Sequence, residues 1–217
     1  MLAKVFSCAV VGLDGVLVEV EVDVGGGNPG MVVVGLPDAA VQESKERVRS
    51  AIRNSGGKFP HGKVTVNLAP ANLKKAGPTY DLPIALGILI GSRQLPAELD
   101  DALVVGELSL EGVLRHTPGI LSMVALAASR GLKRIFVPHI DAAEAALVDG
   151  VDVYSVRTLA DLVNHLTGEV PLQPFRGEDP LQDVSAYVGT DFSEIKGQEH
   201  VKRGLEVAAA GGHNLLR

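Results

Sequence analysis

The chain has 217 residues, 46% hydrophobic and 21% charged, with a formal net charge of −6; these totals describe a globular protein and give no global sign of nucleic-acid affinity. A domain of about 170 residues buries roughly 70% of its unfolded surface, so neither a disulfide nor a metal is needed to hold it together. The single cysteine, Cys8, excludes an intrachain disulfide and, lying in an apolar run, is expected to be a buried thiol.

The first 24 residues read as a hairpin. Lys4 to Val11 is apolar and β-prone, Gly12 to Gly15 is a turn, and Val16 to Val24 alternates. In that second arm Val16, Val18, Val20, Val22 and Val24 face one way and Glu19, Glu21 and Asp23 the other, the mark of a half-buried strand. Gly25 to Gly30 is a loop and Met31 to Val34 a short strand. A helix follows, with Pro37 suited to its first position and Asp38 and Glu43 near its positive end. Val41, Val48 and Ile52 form its apolar stripe, and Gly56-Gly57 ends it.

Lys63 to Leu68 is the next strand, and a loop containing Lys74 and Lys75 runs to Tyr80. Asp81 and Pro83 open an apolar helix, Ile84 to Ser92. In the second half, Leu103 to Val105 and Glu107 to Leu114 read as strands, the latter folded at Glu111-Gly112. Pro118 to Ser129 is helical, Arg134 to Val137 a strand, and Ala142 to Val148 a short helix. Val151 to Val156 is a strand, and Leu159 to Leu166 a helix that Thr158 can cap. Strands alternating with helices predict an α/β fold whose hairpins make the sheet mixed. Residues 168–188 carry Pro171, Pro174 and Pro180 without periodicity and read as a linker between a domain over 1–167 and a new segment over 189–217. That segment is expected to hold a helix through Ala210 and to open a strand in its last residues.

Neither Gly25–Gly30 nor Gly211-Gly212 is followed by the Lys-Ser/Thr pair of a phosphate-binding loop, so each reads as a turn. The six histidines lack partners at metal-ligand spacing, and no metal site is expected. The N-terminus lacks the pattern of a secretion signal and no apolar run reaches about 18 residues, so the expected location is the cytoplasm, away from the membrane.

Charge is unevenly spread. Residues 45–75 hold eight basic side chains against one acid, Glu46, a local charge of +7 that leaves −13 elsewhere. Lys45, Arg49 and Arg53 recur at four-residue spacing and share one helix face. With Lys74 and Lys75 they are candidates for contact with a nucleic-acid backbone. A solvated face, or one paired with an acidic neighbouring subunit, fits the same pattern.

Three blocks carry a resemblance. The first is Gly30 to Ser44 (GMVVVGLPDAAVQES) leading into Arg47 to Ile52. The second is Asn67-Leu68-Ala69-Pro70-Ala71 with Lys75-Ala76-Gly77 and Tyr80 to Ala85. The third is Ile195-Lys196-Gly197-Gln198-Glu199 with Ala208 to Leu216. Together they resemble the YifB/ComM family, the magnesium-chelatase-like AAA+ ATPases of bacteria, across essentially the whole chain. The resemblance implies a ribosomal protein S5 domain 2-like fold, similar to the Lon proteolytic domain, followed by the start of an AAA+ module.

By that resemblance Gly197 and Gln198 belong to the segment lining the adenine pocket. The Walker A loop, magnesium ligands and arginine finger would lie beyond Arg217. These residues alone are therefore expected not to hydrolyse ATP; ATP and magnesium are cofactors expected for the whole protein, which would self-associate into a hexameric ring.

The family is linked to branch migration in natural transformation, so DNA is the implied partner. In Lon a serine is activated by a lysine. Here Gly77-Pro78-Thr79-Tyr80-Asp81 matches the serine stretch, placing Thr79 at the nucleophile, while Leu121 stands where the lysine should be. The dyad is therefore absent, and Thr79 reads as a helix-opening hydroxyl. The implied role is a non-catalytic module of a DNA-processing motor; a degenerate Lon-like peptidase and a magnesium-chelatase subunit are the alternatives.

Overall fold

The computed structural model describes residues 1–177 and 191–215 and divides the chain into two compact units, Met1–Pro180 and Leu181–Arg217. The first unit is built on a seven-stranded sheet. Its strands are β1 (Leu2–Val11), β2 (Asp14–Val24), β3 (Gly30–Val34), β4 (Lys63–Ala69), β5 (Ala102–Val104), β8 (Arg134–Pro138) and β9 (Asp152–Val156), in the order β3-β4-β2-β1-β5-β8-β9. The β1–β2 hairpin and the β2–β4 pair are antiparallel and the other four pairings parallel, so the sheet is mixed as expected. A separate ribbon joins β6 (Glu107–Leu108) to β7 (Leu114–Arg115).

Helices α1 (Ala39–Asn54), α2 (Asp81–Gly91) and α5 (Leu159–Thr167) share one core with the sheet, and α3 (Ile120–Ser129) and α4 (Ala142–Ala145) share another. Period-two alternation divides the strands between them. Val18, Val20 and Val22 enter the first core, whereas Cys8, Leu103 and Ile135 enter the second. Helix α2 is buried at ten of its eleven positions, which is why it reads as a continuous apolar run without a polar face. Glu19 and Glu21 stay on the other side of β2, where Lys4 lies 3.2 and 3.6 Å from them.

Several boundaries differ from expectation. Helix α1 begins at Ala39 because the Asp38 carboxylate accepts from the Val41 amide at 2.9 Å, making Asp38 the cap and leaving Pro37 outside. Thr158 caps α5 as expected and forms a full capping box with Asp161. Residues 171–177 form no regular element, yet Leu172 and Phe175 pack against the two cores and the Phe175 amide donates to the Val153 carbonyl at 2.6 Å. Residues 178–188 of the proposed linker and the start of the new segment at Gly189 lie outside the described residues.

In the second unit α6 (Glu199–Gly211) follows Gly197 and Gln198, both at positive φ, and buries none of its residues. Among the described residues His213 to Leu215 form no strand, contrary to expectation; Leu216 lies outside the described residues.

Candidate functional site

Helix α1 separates its basic residues onto two flanks. Val41, Ser44, Val48, Ala51 and Ile52 point into the core. Rotation by 100° per residue places Lys45, Arg49 and Arg53 on one side of that stripe and Arg47 on the other. Lys45 is half-exposed and Arg49 and Arg53 are exposed. The Arg49 guanidinium lies 4.9 Å from the centre of the Phe59 ring, and Lys45, Arg49, Met31 and Phe59 edge a shallow hollow of about 220 Å³. Among the described residues none of the three makes an ion pair, so their charge remains available to an anion.

Arg47 has a different task. It reaches the fully buried Asp81 through two bonds, Nε to Oδ2 at 2.6 Å and Nη2 to Oδ1 at 3.1 Å, and also donates to the Ala40 carbonyl. The Leu108 amide adds a third donor to Asp81. Burial pushes the Asp81 carboxyl up to about 6, against the lowering effect of Arg47 and the amide. Asp81 is therefore an anchor that fixes α1, α2 and β6 together. Arg47 is removed from the free positive charge counted in the sequence.

Lys75 requires a similar correction. It is wholly buried, its ammonium donates to the Pro70 carbonyl, and burial lowers its pKa. Its backbone exchanges hydrogen bonds with Leu36 and Asp38, which hold the chain leading into α1. Lys75 therefore cannot meet a phosphate backbone at the surface. Lys74, its neighbour, is exposed and unpaired among the described residues.

Lys74 borders a pocket of about 290 Å³ that also takes in Thr79, Glu107, His116 and Thr117. Thr79 is 8% exposed and lies in a 3₁₀ turn, Pro78–Tyr80, but its hydroxyl caps neither that turn nor α2, contrary to the helix-opening role expected of it. Leu121 is on α3, 44% exposed, in a different hollow beside Leu13 and Ser122. The two positions matched to the Lon dyad thus do not meet in one pocket.

Sequence reading passed over His116, which lines this pocket, and its partner Asp141. His116 Nδ1 lies 2.5 Å from Oδ1 of the buried Asp141, whose Oδ2 accepts from the Thr117 amide at 2.9 Å. The two residues are 25 positions apart, so no local spacing could have signalled them; only the closure of β7 and α3 against the turn before α4 brings them together. Among the described residues no three His, Cys, Asp or Glu side chains gather as metal ligands, and no helix is long and apolar enough to cross a membrane.

Residues 20–141 match the family described as subunit ChlI of Mg-chelatase, and residues 191–217 match magnesium chelatase, subunit ChlI. The chain belongs to the magnesium-chelatase ChlI-like family, with the YifB and ComM proteins. It is 42% identical over 218 residues to competence protein ComM of Haemophilus influenzae, covering 99% of this chain and 43% of that protein. It is 43% identical over 216 residues to the uncharacterized protein YifB of Escherichia coli, covering 99% of this chain and 42% of YifB. The chain therefore spans less than half the length of these relatives. Lon protease 2 of Bacillus subtilis is 24% identical over 145 residues, covering 65% of this chain and 26% of the protease. The mixed sheet with its covering helices agrees with the S5 domain 2-like fold expected of such a chain.

Proposed function

We propose that residues 1–177 are a non-catalytic accessory domain of a cytoplasmic, ring-forming AAA+ ATPase that processes DNA, and that Lys45, Arg49 and Arg53 contact the DNA backbone. The observation that carries this reading is the unpaired basic flank of α1, set on a rigid helix in a chain whose remainder is acidic. Similarity to a competence protein supports the DNA-directed role. On this reading ATP and magnesium belong to the whole protein, and Gly197 and Gln198 contribute to its adenine pocket. Lys74 remains an auxiliary contact, and Lys75 drops out.

Fluorescence anisotropy of labelled single-stranded and branched DNA, titrated with the chain at low and moderate salt, tests the interface. Binding should weaken steeply with salt, and the Lys45→Glu/Arg49→Glu double variant should lose it. Each phosphate contact removed should flatten the plot of log K against log salt by about 0.7–0.9. Unchanged affinity in the double variant would remove DNA contact from this flank and leave a ring scaffold.

A second reading, a peptidase of altered chemistry, has one favourable observation: Thr79 shares its pocket with His116, whose Nδ1 lies against Asp141. Turnover of unfolded casein that disappears in Thr79→Ala would establish it, and no turnover would dispose of it.

A further inference from the structure

We propose that the outer edge of β3 receives an extended segment of a partner protein as an added strand, and that this segment alternates apolar and acidic residues. The inference does not rest on the DNA reading, although both ligands would use Lys45 and Arg49 and so compete.

The two edges of the seven-stranded sheet are treated differently. At one end the Phe175 amide donates to the Val153 carbonyl of β9 at 2.6 Å, so the chain after α5 covers part of that edge. At the other end no described strand lies on the outer side of β3. Outside its ladder with β4, the described residues give β3 one hydrogen bond, from the Gln42 amide to the Val33 carbonyl at 3.4 Å. Backbone groups left on an edge are a template for another strand, and folds that avoid such pairing place lysine, proline or a bulge there. Gly30 to Val34 (GMVVV) carries neither charge nor proline, and its register with β4 runs unbroken.

The two faces of β3 specify what the added strand must carry. Met31 and Val33 turn toward the core that α1 covers, whereas Val32 and Val34 turn to the opposite face, each 43% exposed. Side chains of an added strand on that second face would lie beside the two valines, which suits apolar residues. Those on the first face meet the hollow of about 220 Å³ lined by Gly30, Met31, Phe59 and α1. There Lys45 and Arg49 outweigh Glu46 by one positive charge, which suits a carboxylate. A nucleic-acid backbone could answer the charge, but it has no alternating N–H and C=O groups to complete the edge. Strand addition uses both, with main-chain bonds giving affinity and alternate side chains giving selectivity.

Fluorescence anisotropy of the full chain with a labelled peptide of about six residues, alternating valine and glutamate, tests this. The peptide should bind, and one of the same composition with its valines and glutamates in separate blocks should not. N-methylation of one alternate set of residues should weaken binding at least about tenfold and methylation of the other set should leave it, because only one side of the added strand pairs with β3. Lys45→Glu/Arg49→Glu should lose this peptide and bind one that alternates valine and lysine. Val32→Asp, at an exposed position, should keep the parent's Tm and DNA affinity while weakening the acidic peptide at least about tenfold. The proposal is overturned if the alternating peptide does not bind, if the block peptide binds as tightly, or if both methylated peptides bind like the parent. It is overturned equally if the chain alone self-associates and Val32→Asp abolishes that, which would make a second copy the occupant. DNA binding that survives Lys45→Glu/Arg49→Glu while the peptide preference reverses would remove the DNA reading and leave this one standing.

Discussion

Arg47 and Asp81 show how a single pair redistributes the meaning of a charged segment. The carboxylate is fully buried and the guanidinium mostly so, and removing one partner of such a pair leaves an uncompensated charge in the interior. Arg47→Met is expected to destabilise the domain by about 3–5 kcal/mol at pH 8, measured by urea unfolding. The pH dependence follows from the raised carboxyl. With Asp81 at about 6 when folded and 3.8 when unfolded, the folded state holds the proton more tightly. This group's contribution to stability therefore falls as pH rises from about 4 to about 6 and is level above that. Without Arg47 the carboxyl climbs further, so the decline extends to higher pH and the variant's deficit should be smaller at pH 5 than at pH 8. Adding Asp81→Asn should recover much of the loss at pH 8 and abolish the pH trend; a deficit independent of pH would mean that Arg47 acts only by packing.

Element boundaries depend on caps and close approaches that can be tested one at a time. Thr158 and Asp161 satisfy each other's backbone amides at the start of α5, the helix that closes the first core over β9. Thr158→Ala is expected to cost about 1 kcal/mol, read as a lowered urea midpoint with an unchanged slope. Gly35 occupies the turn between β3 and α1 at φ 97°, and a Cβ there would overlap the Leu68 carbonyl. Gly35→Ala should therefore destabilise by about 1–3 kcal/mol from backbone strain alone. Because that turn aims α1, the same change should weaken DNA binding even if the variant still folds; full affinity would show that the basic flank tolerates a displaced helix.

For the molecule as a whole, the described residues of both hydrophobic cores all precede 178, with Leu172 and Phe175 the last of the described residues to pack against them. Helix α6 buries nothing and exposes Val201, Leu205 and Val207. A fragment ending at Gly177 is accordingly expected to unfold cooperatively with a Tm close to that of the full chain, by calorimetry. A fragment that melts broadly would show that residues beyond 177 complete the fold.

Periodicity made the strands of the first unit legible from sequence, because period-two alternation in β2 and the all-apolar run of α2 reflect burial on one face or on all sides. The α/β class and the basic stripe at 45, 49 and 53 followed from the same short-range regularities. Whether a charge is free did not. Lys74 and Lys75 are neighbours in sequence, yet one is exposed and the other sealed against Pro70, because the pairing of Lys75 with Leu36 and Asp38 turns its side chain inward. Arg47 looked equivalent to Arg49 until Asp81, 34 residues away, claimed it. His116 and Asp141 gave no signal at all, since their chemistry depends on a contact across 25 residues. Sequence by itself determined the elements, because local backbone preference and the side on which apolar residues recur are short-range properties. Tertiary structure alone decided which polar groups are spent inside the fold and which remain to act on a partner, because that depends on neighbours brought together only when the sheet closes.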